Sequence, residues 1–245
     1  MSYHRFALTR SSLRLLLAAC LAAAGTAASA QQRRVQNRPF IDERRFHYGF
    51  FVGLHDQGLS LSNNGYIDPA TGQQWMAEND SQNMGLSIGI LGEWKLTNHL
   101  ALRLTPSLHF GSKHIRFLDL STGRRDAQDM KSTYIGFPAA LKVSAPRFNN
   151  FRPYVVGGVQ PVYDLTPGKG AKLRTKPLNL NLEVGMGCDF YLPFFKLIPE
   201  LKFSMGLANL IDRKRGDLTD NSQRLFTEGI DRARSNMFIL TFSFE

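Results

Sequence analysis

Apolar side chains recur at every second position in eight stretches of the chain, which is the period of a β-strand and not of a helix. The alternation is clearest at residues 178–190, where leucine, valine and methionine take turns with asparagine, glutamate and glycine. The stretches cover residues 46–56, 83–96, 100–110, 132–143, 151–163, 178–190, 197–207 and 236–245. Each is about ten residues or longer, the length of a strand that crosses a bilayer at a tilt. In residues 151–163 the pattern leaves open which side chains share a face.

The segments that join these strands alternate between short and long. The short ones are residues 96–100, 145–150 and 192–196, and the long, polar ones are residues 57–81, 111–132, 164–177 and 208–234. Short turns on one side and long loops on the other are typical of transmembrane β-barrels. The sequence therefore predicts an all-β fold, an eight-stranded antiparallel transmembrane β-barrel of the outer-membrane type. Its short turns and both termini would lie in the periplasm, and its long loops outside the cell.

The polar face of the predicted strands is rich in glycine and also carries charges in mid-strand. These charged residues are Glu93, Arg103, Lys142, Glu183, Asp189, Glu200 and Lys202. In a membrane barrel lipid covers the apolar face, so the polar face must line a narrow, crowded lumen. We expect the charges to pair across that lumen in a structural network. The alternative is a soluble barrel of the lipocalin type, in which the apolar face would line a ligand cavity.

The last ten residues form the most apolar strand, although chain ends usually fray in soluble proteins. One face of this strand consists of Phe238, Leu240, Phe242 and Phe244. A transmembrane barrel explains this placement, because no strand edge can stay unpaired in hydrocarbon and the last strand must close on the first. We predict that this face meets lipid and that its terminal aromatic residues also act as a signal for barrel assembly.

Residues 1–30 have the features of a secretory signal peptide. Arginines precede an apolar run at residues 15–28, no acidic residue occurs before Asp42, and the small residues 28–30 form a cleavage site. The alternative is a lipoprotein with its lipidated N-terminus at Cys20, but the apolar run continues beyond that cysteine. Cleavage would leave a periplasmic leader, residues 31–45, and a single barrel domain that begins at residue 46.

Composition narrows the class of protein and its partners. The chain is 43% hydrophobic but has a mean hydropathy of −0.22, which argues against a helical membrane protein. The formal net charge is +10, and a basic exported chain can meet lipid phosphates or acidic partners. We expect cations of the long loops, at residues 124–126 and 212–215, to bind lipopolysaccharide phosphates. The sequence has no basic helix or nucleic-acid motif, so nucleic acid is not expected as a partner.

Residues suited to catalysis or metal binding form no recognisable set. The histidines lack metal-ligand spacing, and no nucleophile elbow accompanies the serines. Cys188 would be the single cysteine of the mature chain, so no disulfide framework is possible. We therefore predict no enzyme, no metal and no cofactor. The alternative is a lipid-modifying outer-membrane enzyme that would use the lumenal His47, His55 or His109.

Two stretches resemble those of known barrels. Residues 134–159, YIGFPAALKVSAPRFNNFRPYVVGGV, are similar to the Tyr-Ile-x-x-Pro-x-x-x-Lys … Pro-Tyr-x-x-x-Gly hairpin of small barrels from the Bacteroidetes group. Residues 37–61, NRPFIDERRFHYGFFVGLHDQGLSL, look like the start of the PorT family, in which a short Asn/Pro leader runs into a His-aromatic-Gly-Phe strand. With the length, signal peptide and aromatic terminus, the resemblance spans essentially the whole mature chain.

The PorT resemblance implies an outer-membrane barrel needed by the type IX secretion system, which exports proteases and adhesins with a conserved C-terminal domain. It implies no catalytic residues. A filled barrel is too narrow for a folded protease, so the expected role is assembly or docking of a larger translocon, with other secretion components as partners. The surfaces available are the loops and the basic leader, with Arg33, Arg34, Arg38, Arg44 and Arg45. The alternative is a generic structural or adhesive barrel of the OmpX type.

Overall fold

The computed structural model describes residues 35–67, 72, 74–79, 83–120, 122–123, 125–166, 176–211 and 230–245. The predicted signal peptide, residues 1–30, and the first leader residues, 31–34, lie outside this part of the chain. Residues Asn37–Glu245 belong to one compact unit. Within the described ranges, no helix has the length and apolar character needed to cross a membrane.

The described unit is built from antiparallel strands and one short 3-10 turn at Ile41–Glu43. The strands are β1 (Phe46–Asn63), β2 (Trp75–Asn79), β3 (Met84–Lys95), β4 (Leu100–Leu104), β5 (Ser107–Asp119), β6 (Arg125–Gly136), β7 (Ala139–Ser144), β8 (Phe151–Asp164), β9 (Leu178–Tyr191), β10 (Lys196–Gly206) and β11 (Ile230–Phe244). Each of the eight predicted strands is present.

Two of the predicted strands are divided by a proline, which lacks the N–H that a central strand needs. Pro106 separates β4 from β5, and Pro138 separates β6 from β7. The carbonyl groups of both prolines still accept bonds from the neighbouring strand, from Ile90 N–H at 3.1 Å and from Thr105 N–H at 3.2 Å. The two divided strands therefore stay continuous members of an eight-strand ring.

The ring is closed because β1 pairs with β3 on one side and with β11 on the other. Phe50 lies opposite Ile90 in β3 and opposite Phe244 in β11. The expectation that the last strand closes on the first is confirmed. Closure leaves no unpaired edge in the wall, as a barrel that spans a membrane requires.

The apolar face of each strand points out of the ring and the polar face points into it. Phe50 is 57% exposed, whereas Lys142 is 1% exposed. Leu182 and Phe242, which would meet in the core of a lipocalin-type barrel, are also on the outside. In β8 the facing is now clear, since Val155 points out and its neighbour Tyr154 points in.

The strands run further toward the long-loop end than the alternation predicted. Segments predicted as loops contain the end of β1, all of β2, much of the β5–β6 hairpin and the start of β11. The reason is a small apolar cluster at this end, which the loop composition concealed. Its buried members are Leu59, Ala77, Phe117, Leu210, Ile211, Ile230 and Ala233. The remaining parts of two predicted loops, residues 167–175 and 212–229, lie outside the described residues.

At the opposite, short-turn end, part of the predicted leader packs against the barrel. We call residues Asn37–Glu43 the strap. Ile41 of the strap is buried, and Asn37 bonds to Asn150 in the β7–β8 turn. Arg44 and Arg45, which follow the strap, are exposed. The described part of the leader is therefore a folded segment at the mouth of the barrel.

Candidate functional site

The charged residues predicted from the sequence all lie inside the ring. Glu93, Arg103 and Lys142 come from β3, β4 and β7, and the other four come from β9 and β10. Their positions follow from strand geometry, because the residues that alternate with a lipid-facing side chain must point into the lumen. All seven side chains are almost completely shielded from solvent.

Arg103 joins two carboxylates at the centre of the lumen. Its Nε and Nη2 donate to Glu93 Oε2 at 3.0 and 2.7 Å. Its Nη1 donates to Glu200 Oε2 on the far side of the barrel. A planar guanidinium suits this position, because it offers several donors in fixed directions and remains charged when buried.

The two lysines extend the same set of ion pairs in both directions. Lys142 Nζ lies 2.8 Å from Asp189 Oδ2 and 3.3 Å from Glu93 Oε2. Lys202 Nζ lies 2.9 Å from Glu183 Oε1 and 3.5 Å from Glu200 Oε1. The seven residues form one unbroken chain of alternating charge, in the order Asp189, Lys142, Glu93, Arg103, Glu200, Lys202, Glu183. We call it the lumenal ion chain.

Tyr154 belongs to the same cluster, although the sequence pattern did not single it out. Its hydroxyl donates to Glu200 and accepts from Arg103 Nη1 at 3.1 Å. Its ring lies below two cations, 4.2 Å from Lys142 Nζ and 4.8 Å from the Arg103 guanidinium carbon. The aromatic ring thus fills space between the charges and interacts favourably with both cations.

A second charged cluster, also missed from the sequence, lies at the short-turn mouth around Glu245. Its side chain pairs with Lys196, and its Oε1 is 2.6 Å from His47 Nδ1. Burial raises the pKa of the Glu245 carboxyl, but the hydrogen bond with His47 and the charge of Lys196 outweigh burial and hold the pKa at about 2. The inward orientation of Lys196 could have been predicted from the sequence, because Lys196 lies an even number of positions from Glu200 and Lys202 in β10 and so shares their face.

The arrangement can fill and hold the barrel, and it offers little for bond-making chemistry. Each cation of the lumenal ion chain contacts two carboxylates, and each carboxylate contacts at least one cation. Buried ions that satisfy one another in this way stabilise only as a complete set, because removal of one leaves the others unpaired. The structural role expected for these residues stays a prediction until the set is broken by mutation.

Two histidines in the lumen, His55 and His109, form a hydrogen-bonded row with two serines. Ser87 Oγ lies 2.8 Å from both His55 Nδ1 and His109 Nδ1, and Ser107 Oγ lies 2.9 Å from His109 Nε2. Ser87 is completely buried. Among the described residues, no group of His, Cys, Asp and Glu has the arrangement to hold a metal ion.

Replacement of His109 by alanine is therefore expected to leave the membrane lipids unchanged. A lipid could not reach the buried Ser87, so loss of its histidine partner removes hydrogen bonds and no reaction. Mass spectra of lipid A and phospholipids from cells with the His109→Ala variant should match those from cells with the unchanged protein. A shifted lipid A mass in the variant would instead support the enzyme hypothesis.

The closing strand presents its aromatic face to the outside. Phe238, Leu240 and Phe242 are exposed, and Phe244 stacks on Phe50 of β1 with ring centroids 5.3 Å apart. Phe195 of the β9–β10 turn approaches the same Phe244 ring at 5.9 Å. Aromatic side chains at this level match the girdle that barrels place at the membrane interface. A role as an assembly signal stays a prediction.

Comparison with known proteins is consistent with this architecture. The family described as "Outer membrane protein beta-barrel domain" matches residues 29–212. This chain belongs to that family. As a member of the outer membrane protein β-barrel family, the chain is an integral protein of the outer membrane, and its short turns are assigned to the periplasm and its long loops to the cell exterior.

Several solved barrels are similar to this family member at low identity. OprG from Pseudomonas aeruginosa is 12% identical, with 80% of this chain and 94% of OprG covered and a TM-score of 0.43. Neisserial surface protein A is 10% identical, with 82% and 98% covered and a TM-score of 0.43. Ail of Yersinia pestis is 10% identical, with 80% and 96% covered and a TM-score of 0.36. No curated protein sequence gives a significant match.

Proposed function

We propose that this outer-membrane barrel is a non-enzymatic accessory component of protein secretion, of the PorT type, that acts in assembly or docking of the type IX translocon. The lumenal ion chain is the observation that supports an accessory role. Its seven side chains and Tyr154 occupy the middle of the lumen, so cargo would have to pass elsewhere. A barrel that does not conduct its cargo must act through its surfaces.

The hairpin that resembles those of small barrels from the Bacteroidetes group, residues 134–159, also gains a physical meaning. Its lysine is Lys142 and its Pro-Tyr tyrosine is Tyr154, and both are members of the filled centre. These residues of the motif therefore serve barrel filling, which small barrels of different function can share. The proposed secretion role rests on the second resemblance, at residues 37–61, which includes the strap.

Two surfaces are available for partners of this barrel. The first surface, at the periplasmic end, consists of the strap and the exposed Arg44 and Arg45, and it could face another secretion component. At the outer end Arg125 is exposed, and we propose that the cations at residues 124–126 and 212–215, of which residues 124 and 212–215 lie outside the described part of the chain, bind lipopolysaccharide phosphates.

Deletion of the gene tests the secretion role directly. We expect cargo with the conserved C-terminal domain to accumulate in the periplasm of the deletant, because the translocon would lack a component. Immunoblots of periplasmic and culture fractions measure this, and a plasmid copy of the intact gene should restore export.

A plasmid copy of the gene that carries Lys142→Met provides the matched comparison with the intact copy, because this substitution disturbs only the barrel interior. If it folds and restores export, the lumen itself is not the working part. Normal cargo export in the deletant would contradict the proposal. Loss of a surface-binding phenotype with normal export would favour the OmpX-type alternative.

A further inference from the structure

The strap lies across the periplasmic mouth and is held there mainly by polar groups. Asn37 N–H donates to Asn150 Oδ1 at 2.8 Å, and Asn37 Nδ2 donates to the Tyr191 carbonyl at 2.9 Å. Arg38 Nη1 donates to the Glu245 carbonyl at 3.0 Å. The first two residues of the strap thus contact the β7–β8 turn, the end of β9 and the residue that follows β11.

Asp42 holds the other end of the strap. The Tyr191 hydroxyl donates to its Oδ1 at 2.7 Å, Arg147 Nη1 lies 3.3 Å from its Oδ2, and Lys95 Nζ donates to its carbonyl. Ile41, between the two ends, is 5% exposed. The carboxylate of Asp42 therefore receives donors from two parts of the mouth that are far apart in the sequence.

Arg147 contacts the backbone of the strap and is held in place by the barrel itself. Its Nη2 donates to the Asn37 carbonyl, and its Nη1 lies 3.3 Å from the Arg38 carbonyl. Its guanidinium stacks on Tyr191, with the guanidinium carbon 3.5 Å from the ring centroid. A stacked guanidinium is a preorganised fork of donors. In these contacts of Arg147 the donors belong to the barrel and the acceptors to the strap.

We propose that the periplasmic mouth is a peptide-binding site, whose ligand in this structure is the chain's own segment Asn37–Glu43. The ligand class is a short segment with a side-chain amide, two backbone carbonyls and, within a following 3-10 turn, a carboxylate. Apart from Ile41, the strap contributes contacts that water can replace, so it is an exchangeable ligand and not a core element. The proposal rests on these contacts and does not depend on a role in secretion.

Cysteine labelling tests whether the strap is docked. Phe40 is 71% exposed and its neighbour Ile41 is 5% exposed, which provides a matched pair. In the full chain with Cys188→Ala, a maleimide should react quickly with Phe40→Cys and slowly with Ile41→Cys. Adding Asp42→Ala should speed labelling of Ile41→Cys by at least about tenfold, because the carboxylate loses its hydrogen bonds with both Tyr191 and Arg147, without changing Phe40→Cys. Equal rates at both positions without Asp42→Ala would overturn the proposal.

Binding in trans tests whether the mouth is a true peptide site. The probe is a fluorescent peptide with the sequence of residues 36–45. The full Asp42→Ala chain, with its own strap weakened, should bind the probe about tenfold more tightly than the unsubstituted chain, in which the tethered strap competes at high effective concentration. A probe with asparagine in place of Asp42 should bind about tenfold more weakly.

Adding Arg147→Ala to the Asp42→Ala chain should abolish binding of the probe. Faster gel mobility of the unboiled protein shows that each variant has folded as a barrel. Failure of folded Asp42→Ala protein to bind the probe would overturn the peptide site, whatever the deletant shows about cargo export. Normal cargo export in the deletant would overturn the secretion role, but it would leave the proposed peptide site unaffected.

Discussion

Replacement of Arg103 by methionine is expected to lower the free energy of unfolding of the barrel by about 3–5 kcal/mol. Methionine keeps much of the length of the side chain but has no charge, so the lumenal ion chain breaks at its centre. Glu93 and Glu200 then lose their shortest ion pairs while they remain buried. Lys142 and Lys202 can offset only part of this loss, because they lie further from these carboxylates, at 3.3 and 3.5 Å.

Urea unfolding of the barrel in detergent micelles, followed by the gel-mobility shift, measures this effect. Arg232→Met is the matched control, because Arg232 is an exposed cation near the outer end of β11 and its removal should change stability by less than about 1 kcal/mol. Adding Glu93→Gln to Arg103→Met should recover part of the loss, since it removes one of the stranded charges. Equal unfolding midpoints for Arg103→Met and Arg232→Met would show that the chain of ion pairs does not support the fold.

The part of this architecture that could be predicted from the sequence depends on local periodicity. Side chains alternate strictly in a strand, so the outward face of β9 and the inward charges Glu183 and Asp189 follow from parity alone. The inward orientation of Lys202 and Glu200 follows in the same way. The facing of β8 could not be predicted, because its outer face contains Pro153, Gly157 and Pro161, which carry little apolar signal. The structure was needed to show that Tyr154 points into the lumen.

The parts that escaped prediction depend on contacts between distant residues. The strap residue Asp42 accepts a hydrogen bond from Tyr191, 149 positions later in the chain. The sequence around either residue gives no signal of this contact. Asp42 looks like an ordinary solvated acid of a polar leader until the barrel brings Tyr191 and Arg147 to it. The cluster around Phe117 was missed for a related reason, because its members are single apolar residues or one short apolar pair, Leu210 and Ile211, dispersed in polar segments.

Gly53 in the closing seam is the second position at which a small change should have a large effect. Gly53→Ala is expected to destabilise the barrel by about 2–3 kcal/mol, within the range of overpacking. A Cβ at Gly53 would lie 2.3 Å from the Leu240 carbonyl oxygen and 2.9 Å from Thr241 Cα, both backbone atoms of β11. Backbone cannot move aside here without shifting the register that closes the ring, in which Gly53 lies opposite Thr241.

Gly157→Ala is the matched control, because Gly157 is a strand glycine of β8 that faces outward and a Cβ there would meet no atom within 4 Å. Alanine at this site should leave stability unchanged or raise it by up to about 1 kcal/mol, since glycine within a strand is entropically unfavourable. Urea midpoints and the folded fraction after refolding into micelles measure both variants. Since the two substitutions add the same methyl group, a difference between them reports on the seam and not on the loss of glycine. Equal midpoints would mean that β1 and β11 are not held as closely as this register requires.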